Sequence, residues 1–196
     1  MTVPDLAIIT RNPDLVGECP VWDAEQRVLF WTDNRSNRIY RYVPLTGVVD
    51  TVLDGVAAYA FTLQRDGSFL LFLNGTRVAL ARDGAISTII DGLPGEEGTR
   101  FNDVLVDSQG RVLCGVLPTE DGNSGSLYLL TQEAPPVKFH SGMKLPNGLA
   151  LSFNEKILYV ADTYAKHILA FDYEIASGTA TSPRIFLDFS DNDGAP

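Results

Sequence analysis

The sequence predicts an all-β fold and, within that class, a β-propeller. Three observations lead there. Helix signals are nearly absent, and apolar residues fall in short runs broken by Gly, Asp, Asn and Pro. A strand–turn–strand pattern recurs four times along the 196 residues. Its interval is that of propeller blades, which repeat every ~40–50 residues and hold several strands each.

The four copies are "CPVWDAEQRVLFWTD", "FTLQRDGSFLLFLN", "DVLVDSQGRVLCGV" and "LALSFNEKILYVAD". Aligned on their second strands, they bring Phe30, Leu71, Cys114 and Tyr159 into register, at intervals of 41, 43 and 45 residues. Blades are expected near residues 14–53, 54–91, 92–140 and 141–188, as parts of a single domain over 1–196. The first and fourth copies agree further on. Asp33 and Asp162 close the second strand, and Ile39 and Ile168 follow six residues later, where a third strand should begin. Both aspartates are read as turn or strand-capping residues, not as catalytic ones. "DLAIIT" at 5–10 has no partner in its own repeat and is assigned to ring closure.

Charge and composition narrow the function. With 15 basic and 25 acidic residues the net charge is −10, which argues against nucleic acid or an anionic membrane surface as partner. Cation binding is compatible with that balance. Cys19 and Cys114 are too few for a disulfide framework, form no CxxC pattern and are read as buried thiols. Trp22 and Trp31 are read as core aromatics of the first blade. The N-terminal stretch lacks the marks of a signal peptide, and no apolar run approaches the ~18 residues of a membrane span. A cytoplasmic location is the expectation, with oligomerisation left open.

The third repeat raises the chemical question. In "GTRFNDVLVDSQGRVLCG", residues 98–115, an apolar strand is headed by Arg100, Asn102 and Asp103. Polar groups at the mouth of a buried strand cost stability unless something satisfies them. The alignment gives an answer. Twelve residues before the four aligned positions stand Glu18, Tyr59, Asn102 and Asn147. Three of these offer a carboxylate or carboxamide oxygen, and radially arranged blades would converge them near the channel axis. Such a set suits a hard cation (Ca2+, Mg2+ or Mn2+) better than a thiolate-seeking one, and leaves positions open for water and substrate. Asn147–Gly148 alone would pass for an ordinary turn pair; the shared register is what singles it out.

Other constellations fail on spacing. "GNSGS" at 122–126 departs from GxSxG at its last position, and "GLPGEEG" at 92–98 is not a dinucleotide fingerprint. "DNDG" at 191–194 has Phe189 where a calcium loop needs its first ligand, so it is read as an acidic turn. The two histidines, His140 and His167, form no nucleophile pair; Ser141 merely adjoins the first.

"GECPVWD" at 17–23, "RFNDVLVDSQGR" at 100–111 and "LPNGLALSFNEKILYVAD" at 145–162 together resemble the SMP-30/gluconolactonase/LRE-like (regucalcin-like) family, over residues 14 to 196. The resemblance implies a six-bladed propeller, about four blades of which lie in this chain. It implies one divalent cation in the channel, Ca2+ first, with Mg2+, Mn2+ or Zn2+ as alternatives. The implied activity is hydrolysis of a sugar lactone by metal-polarised attack of water on the ring ester. A non-catalytic calcium-binding or ligand-binding propeller is the alternative. By motif, Glu18 and Asn147 resemble metal ligands. Asn102 resembles a residue that meets the cation directly, through water or through substrate. Arg100, and less closely Glu120 in "GVLPTEDGNSGS", resemble substrate-binding residues. The family also places a metal-binding Asp, the usual candidate for general base, in a "PDG"-like motif heading a fifth blade. This chain reaches Pro196 before such a motif. The expectation is therefore a chain about two blades short of the family, prone to association through its open faces. Asp191 or Asp193 would be the substitute ligand if four blades suffice.

Overall fold

Residues 8–120 and 124–191 are described in a computed structural model. Sixteen strands, and no helix among the described residues, form four four-stranded sheets. The first sheet comprises β1 (Gly17–Asp23), β2 (Val28–Asp33), β3 (Arg38–Val43) and β4 (Val48–Asp54). The second comprises β5 (Ala58–Leu63), β6 (Phe69–Leu73), β7 (Val78–Arg82) and β8 (Ala85–Ile90). The third comprises β9 (Phe101–Val106), β10 (Val112–Val116), β11 (Gly125–Leu130) and β12 (Val137–Met143). The fourth comprises β13 (Pro146–Leu151), β14 (Ile157–Asp162), β15 (His167–Glu174) and β16 (Thr179–Asp188). Strands consecutive in the chain lie side by side in every sheet, as in propeller blades. The fold is all-β, and its blades are those of a β-propeller. The chain divides into two compact units, residues 1–58 and 59–196. Among the described residues no helix is long and apolar enough to cross a membrane.

Burial follows position in the blade. β10 (VLCGV) and β11 (GSLYLL) are buried throughout, whereas the outer strand β8 (AISTII) is almost wholly exposed. A middle strand with another sheet against each face needs a continuous apolar run, which is why the repeats showed runs and not alternation. In the second unit the third and fourth blades meet through Leu113, Leu127, Leu129, Met143, Leu158, Val160 and Phe171. Polar ties join the same two blades. The Tyr173 hydroxyl donates to Asp107 Oδ2 at 2.7 Å, and Arg111 Nε donates to the same oxygen at 2.8 Å.

Two expectations about the first blade are corrected. Trp31 is buried, with Nε1 donating to Asp14 Oδ2 at 2.8 Å, but Trp22 is 52 % exposed. β1 is an inner strand with only partial cover, so its alternation turns Trp22 away from the packed side. Cys114 is buried as expected, while Cys19 is only half-buried and adopts φ +51° in an irregular stretch of β1. Of "DLAIIT", residues 5–7 lie outside the described residues, and Ile8, Ile9 and Thr10 are not in a strand.

Candidate functional site

In the first unit, Glu18 lies near the start of β1 opposite Thr32, and the register slips between Glu18 and Val21. Such a bulge twists the strand and re-aims the side chain. The Glu18 carboxylate is exposed and accepts a hydrogen bond from Asn34 Nδ2 at 3.1 Å. Just ahead of the strand, Leu15 and Val16 N–H groups donate to Asp33 at 2.8 and 3.0 Å. Burial pushes the Asp33 carboxyl up, but the Leu15, Val16 and Ser36 donors outweigh it and bring the pKa to about 2.

The second unit repeats the device. Lys144 and Leu145 N–H groups donate to Asp162, each at 2.9 Å. Asn147 follows in β13 opposite Ala161, and the register slips between Asn147 and Leu149. Gly148 takes φ +56°, matching Cys19 after Glu18. Asp33 and Asp162 are thus the strand-capping residues expected, and each fixes the lead-in to a bulge that carries a candidate ligand. The Asn147 side chain is exposed, and its carboxamide has no partner among the described residues.

Asn102 and Arg100 belong to the third blade. Loop 92–99 delivers them, anchored by buried Glu96, which accepts from the Tyr128 hydroxyl and the Lys138 ammonium, both at 2.7 Å. Asn102 Nδ2 donates to Pro146 O at 3.0 Å, next to Asn147. Arg100 Nη1 donates to Phe101 O at 3.1 Å and to Asn102 Oδ1 at 3.3 Å. The Arg100 guanidinium lies over the Tyr59 ring, 4.0 Å from its centroid. Glu120 is exposed beside residues 121–123, which lie outside the described residues, and no contact ties its side chain to Arg100 or Asn102.

Three features of this site went unread in the sequence. Asp103 Oδ1 accepts from Val104 N at 2.8 Å and Oδ2 from Leu149 N at 3.3 Å, so its carboxylate pins β13 beside the bulge. Burial raises its pKa, opposed by the Val104, Leu149 and Gly148 amides. With its oxygens engaged this way, Asp103 is poorly placed as a general base. Pro146 is seated on two glycines: a Cβ at Gly115 would lie 2.9 Å from Pro146 Cβ, and one at Gly125 would lie 3.0 Å from Pro146 Cδ. Tyr59 shares the register of Glu18, Asn102 and Asn147 but carries no carbonyl, and searching for oxygen donors passes over it.

The donor chemistry fits a hard cation. Each unit presents one exposed oxygen donor on a bulge, the Glu18 carboxylate in the first and the Asn147 carboxamide in the second, and oxygen donors are what hard cations take. Among the described residues no group of three His, Cys, Asp or Glu could hold a metal, so a candidate site has to draw on amide oxygens. Asn102 Oδ1 already faces the Arg100 cation, an arrangement suited to sharing a substrate or a water.

Known proteins resemble this chain over most of its length. A pentonolactonase (XacC) of Haloferax volcanii is 32% identical over 194 residues, covering 96% of this chain and 65% of its own length. A 6-deoxy-6-sulfogluconolactonase of Pseudomonas putida is 32% identical over 166 residues, covering 84% of this chain and 57% of its own length. This chain therefore spans less than two thirds of these relatives. A crystal structure of regucalcin from Agrobacterium tumefaciens, described as a calcium-binding protein, superposes with a TM-score of 0.83 at 18% identity over 96% of this chain and 64% of that one, which supports the fold. The family model for the SMP-30/gluconolactonase/LRE-like region matches residues 16–196, from the Glu18 bulge past the last described strand, and the chain belongs to that family.

Proposed function

We propose that this chain carries the substrate-facing part of a hydrolase that opens sugar lactones with the help of a divalent cation. The observation that carries the reading is the Arg100–Asn102–Pro146–Asn147 arrangement. There a forked cation, a carboxamide and an exposed second carboxamide stand together in the second unit. Two relatives at 32% identity are named for sugar lactones, a pentono- and a sulfogluconolactone. Glu18 and Asn147 would hold the cation, and the calcium-binding relative makes Ca2+ the first candidate. When bound, such an ion supplies Lewis acidity toward a carbonyl oxygen.

The chain's own residues account for the rest. Arg100 offers planar N–H donors that orient substrate oxygens. One Asn102 Nδ2 hydrogen goes to Pro146 O, which fixes the carboxamide so that its second N–H and the remaining lone pair of Oδ1 can meet substrate or water. The Asp33 and Asp162 caps hold the two bulges so that their ligands need little reorganisation on binding.

The test is hydrolysis of an aldono-lactone, followed by proton release, before and after chelator treatment and after adding Ca2+ back. Cation-dependent turnover supports the proposal. Tight cation binding without turnover on any lactone would favour a binding module instead.

A further inference from the structure

A guanidinium has five N–H donors. In Arg100 the Nη1 pair is spent on Phe101 O and Asn102 Oδ1. The Nε–H and the Nη2 pair have no partner among the described residues. Nε and Nη2 share one edge of the guanidinium, the edge that pairs side-on with two oxygens. Arg100 is half-buried, so an edge left without protein partners is held at the site and not merely solvated on a mobile arm. Tyr59 supplies the hold: its ring centroid lies 4.0 Å from Arg100 Cζ. A cation over an aromatic face is attracted by the ring quadrupole and restricted in its rotamers. The Arg100 backbone is fixed as well, by a bridge to Asn74 and by Leu117 N–H donating to its carbonyl at 3.0 Å.

We propose that Tyr59 is a positioning residue that sets substrate specificity. Its ring holds the Arg100 guanidinium so that the Nε/Nη2 edge is offered to paired oxygens, selecting lactones rich in hydroxyl groups over those with none. The inference rests on the lactonase reading for its substrate, but not for its geometry. The recognised chemistry is a pair of neighbouring hydroxyl oxygens on the sugar, present in the lactone and kept in the opened acid.

The test compares kcat/KM for glucono-δ-lactone with that for δ-valerolactone, each ratio taken within one preparation so that any unfolded fraction cancels. Tyr59→Leu should lower the ratio about tenfold, mostly through KM of the hydroxylated substrate, the size of one cation–π contact plus lost orientation. Tyr59→Phe should restore it, because the ring and not the hydroxyl makes the platform. An unchanged ratio in Tyr59→Leu overturns the proposal, as does a loss in Tyr59→Phe equal to that in Tyr59→Leu. If the wild-type chain hydrolyses neither lactone, the lactonase reading falls and this inference is read by calorimetry with gluconate and valerate. A wild-type preference for gluconate that Tyr59→Leu abolishes and Tyr59→Phe retains supports it. No such preference, or an equal loss toward both acids, overturns it.

Discussion

Asp33 has an acid-sensitive role that can be measured. Its folded pKa of about 2 lies below the ordinary carboxylate value, so its contribution to stability is complete above pH ~4 and is lost as pH falls through about 2. Urea unfolding between pH 5 and 2 should show this as a slope that Asp33→Asn flattens. The same substitution should cost about 2–3 kcal/mol at neutral pH, since it puts an amide where the Leu15 and Val16 N–H groups need an anion. The ligand candidates give the second prediction. Glu18→Ala deletes the charged oxygen donor and should abolish most divalent-cation affinity, whereas Asn147→Ala deletes a neutral one and should weaken it less. Calorimetric titration of Ca2+ into each variant decides, and wild-type affinity in Glu18→Ala would remove Glu18 from the site.

Among the strands, β13 shows how one element places a side chain through its neighbour. Pro146 fits only because β10 and β11 offer glycine where it docks. Gly115→Ala would set a methyl 2.9 Å from Pro146 Cβ and 3.3 Å from its carbonyl oxygen. The expected cost is about 1–3 kcal/mol of overpacking, seen as a lower Tm. Because Pro146 O also takes the Asn102 hydrogen bond, cation affinity should fall with it, although residue 115 is not itself a candidate ligand. That coupling was not legible in the sequence, where Gly115 reads only as a break in an apolar run. The aspartate caps were legible, because Asp33 and Asp162 sit at one place in two repeats and the repeat is short range. Trp22 differs from its expected place for a local reason: β1 alternates half-buried and exposed residues and Trp22 falls in the exposed set, whereas β5, at the same place in the second blade, is buried along most of its length. Glu155 shows the converse. It takes φ +51° where the second and third repeats have Gly67 and Gly110, and its carboxylate accepts from Ser108 N at 3.1 Å. A side chain that earns a cross-blade bond thus occupies a position whose backbone favours glycine.

Across the whole chain, protection should follow depth within each blade. Middle strands β10 and β11 are buried, and outer strands β8 and β16 are exposed along most of their length. Amide hydrogen exchange should therefore release β8 and β16 first and β10 last; uniform exchange across a blade would contradict this ordering. The blade pattern and the placement of Glu18, Asn102 and Asn147 at one register could be read from periodicity, since both are local and repeated. What joins blades could not, because Asn102 to Pro146 and Tyr59 to Arg100 link residues about forty apart with no repeat to announce them. The glycine seat under Pro146 bears on how such a protein could be re-engineered. A blade is the unit of chain repetition, but here it is not the unit of transplantation. A fourth blade moved beside a foreign neighbour would bring Asn147 without the hollow that sets its height. The smallest portable piece is the pair of blades, third with fourth, and chimaeras cut between Met143 and Pro146 should keep their strands while losing the ligand's aim.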